Sequence, residues 1–259
     1  VLVVRSTKVS AAVIEASKAL SLIIRAGAGV NTIDLAAASK RGIHVTNCPG
    51  KNTEAVAELA IGLMIAADRR IPQAGADMAA TAWKKGEYGK ARGLKGRTLG
   101  VIGLGSIGQA VIARAKGLEM EVLAWSRSLT PEKADEIGVT LAASPLEVAA
   151  KADAISLHVA YSKTDTHHLV NAEFLGAMKK GAILINTSRG EVVDTGALKA
   201  AIKDKGLRVG LDVFEDEPKG NTDVFADTEL AKLAICTPHI GASTDQASEA
   251  IAEETVRIV

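Results

Sequence analysis

Short apolar runs alternate with amphipathic stretches along nearly the whole chain, the pattern of a parallel sheet with helices on both faces. The runs LVV, SLIIR and GIHVTN predict three strands in the first 47 residues, with helices near 10–18 and 32–40 between them. Pro49 and Gly50 then punctuate the chain. The run AVAELAIGLMIAA (55–67) predicts a helix buried on several sides. Glu58 interrupts it, and it is shorter than the ~20 residues a bilayer span needs. A polar-faced helix is predicted over 71–83, ending in Trp83, and KKGEYGKARGLKGR after it reads as a loop.

From Thr98 the alternation becomes regular, with strands predicted at 98–102, 120–125, 153–158, 182–186, 208–213 and 233–236 and helices between most of them. Ser144, Pro145 and Glu147 form a capping box, with Ser144 as N-cap, Pro145 in the first helical position and Glu147 two residues on. No repeat of fixed period is visible, which argues against a solenoid. The chain opens on VLVV, mid-strand, and stops inside a helical stretch, so both ends read as interior to a longer protein.

Composition narrows the function. The chain has 259 residues and 47% hydrophobic content, enough for a large core and, by length, two domains. Lys and Arg total 31 against 30 acidic residues, and aromatics make up 3%, so neither a polyanion footprint nor a base-stacking platform is expected. No nucleic-acid or membrane partner is therefore expected. Cys48 and Cys236 have no metal-ligand spacing, so no metal site is expected. Two cysteines in so long a chain, with no signal-peptide pattern, point to a reducing cytoplasmic setting.

The chemistry begins at TLGVIGLGSIGQAVIARAKGL. Gly103, Gly105 and Gly108 stand in G-x-G-x-x-G spacing after an apolar strand and at the start of an amphipathic helix, the context of a dinucleotide-binding loop. The first glycine permits the tight turn, the second lets the backbone approach a pyrophosphate, and the third permits close helix–strand packing. The helix N-terminus adds unpaired amides and positive dipole. About 20 residues beyond the loop, where an NAD site places an acid on the ribose hydroxyls, the chain carries Ser126, Arg127 and Ser128. A positive charge and two hydroxyls there favour NADP over NAD as the cofactor. The alternative is that Arg127 lies flat on the adenine and accepts both.

Downstream, Arg189 follows one strand, Glu217 the next and His239 a third. Ligands of open α/β sheets bind at the carboxyl ends of strands, so the three could converge. Hydride exchange with a 2-oxo acid needs such a trio: a cation for the carboxylate and carbonyl, an acid–base group for the hydroxyl proton, and a carboxylate holding that base charged. Taken singly, each has a plainer reading: Arg189 capping a strand end, Glu217 solvated in the acidic run, His239 structural.

The motifs GVIGLGSIGQAVIARAKGLEM, INTSRGEVVD, DVFEDEP and TPHIGAST together resemble the D-isomer-specific 2-hydroxyacid dehydrogenases over essentially the whole chain. The resemblance implies that Arg189 binds and polarises the substrate, Glu217 supports the histidine and His239 is the acid–base catalyst. It implies a Rossmann-type doubly wound nucleotide domain over 49–239. A smaller flavodoxin-like substrate domain, truncated at its N-terminus, is implied over 1–48 with 240–259, and the apolar helix after Pro49 is expected to form a homodimer. Ser106 and Ile107 in the glycine loop, and His158, Thr187 and Asp212 further on, are further candidates for the cofactor site.

Within the family, VVRSTKV and IIRAGAGVNTIDL look most like the 3-phosphoglycerate dehydrogenase branch of serine biosynthesis. That branch implies Arg5, Ala28 and Gly29 as substrate-binding residues, with Arg25 adding positive potential. Asn31 stands where the branch usually has Asp. The WSRS strand end leans instead toward a glyoxylate/hydroxypyruvate reductase. A non-catalytic dinucleotide-sensing protein is the reading of another class, since such relatives keep the same three residues.

Overall fold

The computed structural model describes residues 1–218 and 224–259, and divides them into two compact units, residues 1–55 with 242–259 and residues 56–241. The division expected at 48/49 and 239/240 thus lies a few residues further along at both places.

The smaller unit carries a parallel sheet of β1 (Leu2–Val4), β2 (Leu22–Arg25) and β3 (His44–Asn47), in that order. The helices Ala11–Ala16 and Leu35–Lys40 connect them. Val4, Val9, Ile14, Ile23, Ile33, Ala38 and Ile43 form its core. The second helix is capped by Asp34, whose carboxylate accepts the Ala37 N–H at 2.9 Å. The unit also includes the C-terminal helix Asp245–Ile258.

The larger unit is built on seven parallel strands: β4 (Thr98–Ile102), β5 (Glu121–Trp125), β6 (Thr140–Leu141), β7 (Ala154–Leu157), β8 (Ile183–Asn186), β9 (Arg208–Leu211) and β10 (Ile235–Cys236). Their spatial order is β10-β9-β8-β7-β4-β5-β6. The chain begins in the middle at β4, winds outward through β5 and β6, then crosses back to β7 and winds the other way. The order therefore reverses beside β4, the switch point at which doubly wound sheets bind ligands.

Strands at the centre are covered on both faces, so their residues alternate between two cores rather than between core and water. Leu184 packs into one core, while Ile183 and Ile185 pack into the other. Ile102 and Leu99 of β4 divide in the same way. The long apolar helix, Thr53–Arg69, buries Ala57, Ala60, Leu63, Met64 and Ala67 in the second core. Its several buried positions explain the nearly unbroken apolar run.

Five local features differ from the sequence expectation. The stretch KKGEYGKARGLKGR contains a one-turn helix, Lys85–Tyr88, braced by the Tyr88 hydroxyl and Lys84, which both donate to Asp77. The preceding helix ends at Ala79, leaving Trp83 beyond it and 76% exposed. The two-residue β6 carried too little pattern to be seen. The last predicted strand is only Ile235–Cys236, because Asp227 accepts the Leu230 N–H and starts a helix over Thr228–Leu233. Ser144 does cap its helix, accepting the Glu147 N–H at 3.1 Å, while Glu147 reaches back one residue further than expected, to the Ala143 N–H.

Candidate active site

Strand register aligns the site. Ile102 of β4 lies beside Trp125 of β5 and Leu157 of β7; Leu157 pairs with Asn186, Asn186 with Leu211, and Leu211 with Cys236. The residues that follow these strand ends, Gly103, Ser126, His158, Thr187, Asp212 and Thr237, therefore emerge along one edge of the sheet. Five of these six are sequence candidates.

The glycine loop crosses this edge. Gly103 has φ +99°, and a Cβ there would lie 2.4 Å from the His158 carbonyl oxygen. At Gly108 a Cβ would lie 2.1 Å from the Gly103 carbonyl oxygen. At Gly105, the residue before helix Ser106–Gly117, a Cβ would meet nothing within 4 Å. The outer glycines are fixed by close packing of protein on protein, whereas the middle one faces open space. Nearby, Thr187 is 8% exposed and its hydroxyl has no hydrogen-bond partner among the described residues. A buried hydroxyl without a partner is costly, and an open glycine at a helix N-terminus suits phosphate. The loop and this hydroxyl fit a dinucleotide.

The other cofactor candidates have distinct surroundings. Ser126 and Ser128 carry hydroxyls 3.4 Å apart in the turn after β5. Arg127 between them donates to Asp165 at 2.9 Å. The His158 ring is hydrogen-bonded to the Ser156 hydroxyl at 2.8 Å, and burial pushes its pKa down to about 4, so it is neutral near pH 7. Asp212, expected at the cofactor, has both oxygens engaged by the turn that carries His239. It accepts from the Thr237 hydroxyl at 2.6 Å, the Ile240 N–H at 2.9 Å and the Gly241 N–H at 2.8 Å.

That turn presents His239 in the left-handed region, at φ +52°, an uncommon backbone for a non-glycine residue that clusters at functional sites. Its Nδ1 lies 2.9 Å from Glu217 Oε2, and the other Glu217 oxygen accepts the Phe214 N–H at 3.2 Å. The Glu217 hydrogen bond raises the His239 pKa, against burial and against Arg189. Burial pushes Glu217 upward, but the His239 hydrogen bond and charge, the Phe214 N–H and Arg189 outweigh it and hold the carboxyl below its usual range. The pair is thus biased toward imidazolium and carboxylate. It forms one wall of a pocket of about 520 Å³ whose other walls include Phe214, Phe225, Cys236 and Pro238. Burial raises the Cys236 thiol to about 11, so this cysteine is not a thiolate near neutrality.

Arg189 stands on a turn built by Asn186. The Asn186 side chain accepts from the Ser188 N–H and hydroxyl and donates to the Arg189 carbonyl at 2.8 Å. The Arg189 guanidinium donates to the Ser188 carbonyl, and no carboxylate pairs with it among the described residues. Its charge is felt at both Glu217 and His239. A Cβ on the next residue, Gly190, would lie 1.9 Å from the Phe214 carbonyl carbon. Glu215 then ties that loop down, accepting the Thr195 N–H at 2.8 Å and contacting His168 Nε2 at 2.5 Å.

Asn186, Gly190 and Glu215 are positions the sequence did not single out. Only Asn186 carried a usable signal, an Asx residue at a strand end where side-chain bonds to the next amides are common. The three substrate candidates lie in the smaller unit. Arg5 is exposed just past β1. The loop after β2 is braced by Asn47, which donates to the Ala28 carbonyl at 2.6 Å. The Ala28 and Gly29 amides make no hydrogen bond among the described residues, and adjacent free amides are an anion receptor.

The family model for the D-isomer-specific 2-hydroxyacid dehydrogenase NAD-binding domain matches residues 61–241. The glyoxylate reductase of Thermococcus litoralis is 44% identical over 95% of this chain and 75% of its own length. The D-3-phosphoglycerate dehydrogenase of Methanocaldococcus jannaschii is 43% identical over the whole chain, which spans 49% of that protein. A crystal structure of the D-lactate dehydrogenase of Aquifex aeolicus with NAD and lactic acid superposes with a TM-score of 0.85 at 34% identity, covering 97% of this chain and 78% of that one.

Proposed function

The chain belongs to the D-isomer-specific 2-hydroxyacid dehydrogenase family, and from that premise we propose that it interconverts a small 2-oxo acid and its D-2-hydroxy acid with a nicotinamide dinucleotide. The observation that carries this reading is the His239–Glu217 pair together with Arg189, whose charge acts on both and with which no carboxylate pairs among the described residues.

In the direction of reduction, Arg189 binds the substrate carboxylate and draws electron density from the carbonyl. His239, with Nδ1 held by Glu217, presents Nε2 and donates its proton to the carbonyl oxygen as the carbon is reduced. Glu217 stabilises the imidazolium and fixes its ring. In oxidation the same nitrogen accepts the hydroxyl proton. The dinucleotide, when bound, supplies or accepts the hydride. Gly105, the first turn of the Ser106–Gly117 helix with Ile107, and the Thr187 hydroxyl would hold it, while Asp212 positions the His239 turn.

The pH dependence follows from the pair. Reduction needs imidazolium, so its rate falls as pH rises through the His239 pKa. Glu217 raises that pKa; Glu217→Gln removes the charge and lowers it. The falling limb of the kcat/KM profile for reduction should therefore move to lower pH in the Gln variant. A superimposable profile would mean the two groups do not communicate.

We infer the 3-phosphoglycerate couple as substrate, from Arg5 and the free amides of Ala28 and Gly29. A glyoxylate/hydroxypyruvate reductase is the second reading, favoured by the basic strand end at Arg127. NADP(H) is the preferred cofactor, because a 2′-phosphate carries about two negative charges that an acid at position 126 would repel and Arg127 attracts. Charge-assisted hydrogen bonds give roughly ten- to a hundredfold in affinity. One assay matrix tests all of this: 3-phosphohydroxypyruvate, glyoxylate and hydroxypyruvate, each with NADPH and NADH, for wild type, Arg127→Ala and Ser126→Asp. NADPH should win in the wild type, lose its margin in the alanine variant and give way to NADH in the aspartate variant. Equal loss with both cofactors in Arg127→Ala would indicate stacking on the adenine. Tight dinucleotide binding with no turnover on any acid would point to the sensor.

A further inference from the structure

The β5 strand end lacks an acid in the sequence, yet the fold brings one to it. Arg127 Nη1 donates to Asp165 Oδ2 at 2.9 Å across 38 residues of sequence. Asp165 belongs to the turn that follows β7 and is held in place. The Ser162 N–H donates to Thr166 Oγ1 at 2.7 Å, and that hydroxyl donates to the Ala160 carbonyl at 2.8 Å. The N–H groups of Thr166 and His167 both close on the Ser162 carbonyl, at 3.1 and 3.0 Å. The Thr164 hydroxyl donates to the remaining Asp165 oxygen at 3.0 Å. Thr166 is 8% exposed and so anchors the turn in the body of the unit.

We propose that Asp165 is a specificity-determining residue of the dinucleotide site, holding Arg127 in an ion pair that a 2′-phosphate must break. The inference rests on the dinucleotide reading of the site given above, but not on which cofactor the wild type prefers. The pair is open to solvent, with side chains 74% and 48% exposed. Exposed pairs are weak, so a phosphate bearing close to two charges can displace the carboxylate. Because its turn is braced, the displaced carboxylate stays near the phosphate and repels it. A ribose with a free 2′-hydroxyl breaks no such pair and meets no such repulsion. Asp165 therefore weakens the phosphorylated cofactor selectively, and the choice between the two is set by Arg127 and Asp165 together. The sequence could not show this, since an acid expected at position 126 arrives instead from the far side of the site and against the cation.

The test is a set of dissociation constants for NADPH and NADH, measured by calorimetry in the absence of substrate, for wild type, Asp165→Asn, Arg127→Ala and the double variant. Asparagine keeps the shape of the side chain and leaves the Thr166 bonds of the turn untouched. Asp165→Asn should tighten NADPH about tenfold and leave NADH within about twofold. In the Arg127→Ala background the gain should be smaller, because there is no guanidinium to free and only the repulsion between carboxylate and phosphate is relieved. If Asp165→Asn shifts both cofactors alike, or neither, Asp165 has no part in the choice. A wild type that prefers NADH but gains NADPH affinity in Asp165→Asn would overturn the NADP(H) preference and uphold the role of Asp165. Failure of all four proteins to bind either cofactor would remove the dinucleotide site and this inference with it.

Discussion

His239→Ala should lower kcat/KM by about 10²–10⁴-fold, the usual contribution of a positioned acid–base group, while leaving dinucleotide affinity near that of wild type. The residue stands in the turn 237–241, which Asp212 fixes through its own three bonds, so truncating the imidazole leaves that scaffold in place. Arg189→Ala should be as severe, since on the proposed mechanism it removes the cation that polarises the carbonyl; a preorganised electrostatic contact of this kind is worth about 10²–10³-fold. The Asn186 bonds that shape the Arg189 turn run to backbone and to Ser188, so they survive the change. Steady-state kinetics on the best 2-oxo acid, with cofactor titration as the control, check both. An alanine variant at 239 that turns over like wild type removes the histidine from the mechanism.

Gly190→Ala should harm stability and activity together. The added Cβ would sit 1.9 Å from the Phe214 carbonyl carbon, 2.1 Å from its oxygen and 2.4 Å from the Glu215 nitrogen. These are backbone atoms, so no side-chain rotation relieves the clash and the loop itself must move. Overpacking of this sort costs about 1–3 kcal/mol, which lowers Tm by several degrees in a unit of this size. The loop that moves carries Glu217, and Glu215 pins it to Thr195 and His168. Its displacement pulls the carboxylate off His239, and misplacement by about 1 Å is enough for a loss near 10²-fold. Thermal melts and kcat/KM on the same preparation give the answer; wild-type values in both would show that the loop yields without moving the His239–Glu217 pair.

The relation of Arg189 to Gly190 shows how differently two adjacent residues can be read. Arg189 was legible because a lone cation after a predicted strand has a chemical meaning. Gly190 was not, because its requirement comes from Phe214 and Glu215, which lie about 25 positions away in the chain and only the fold brings them against it. The same division holds for Asp212. Its place at a strand end was readable, but its three hydrogen bonds to the 237–241 turn depend on β9 and β10 pairing in register.

What the sequence by itself determined is whatever periodicity and local chemistry encode. Alternation of apolar runs gave the α/β class, since residues buried on both faces of a parallel sheet read as continuous apolar runs. The glycine spacing located the loop, because its three demands, a turn, an open approach and a close packing contact, all fall within six residues. Strand ends located Arg189, Glu217 and His239. Tertiary structure alone decided the strand order, the row formed by the residues after Ile102, Trp125, Leu157, Asn186, Leu211 and Cys236, and the partners of each charge. Register between strands is fixed by packing across the whole sheet, so no short stretch of chain contains it. Arg127 is the plainest case: its charge is written in the sequence, but the carboxylate that occupies it, Asp165, is 38 residues away and reaches it only through the turn beyond β7.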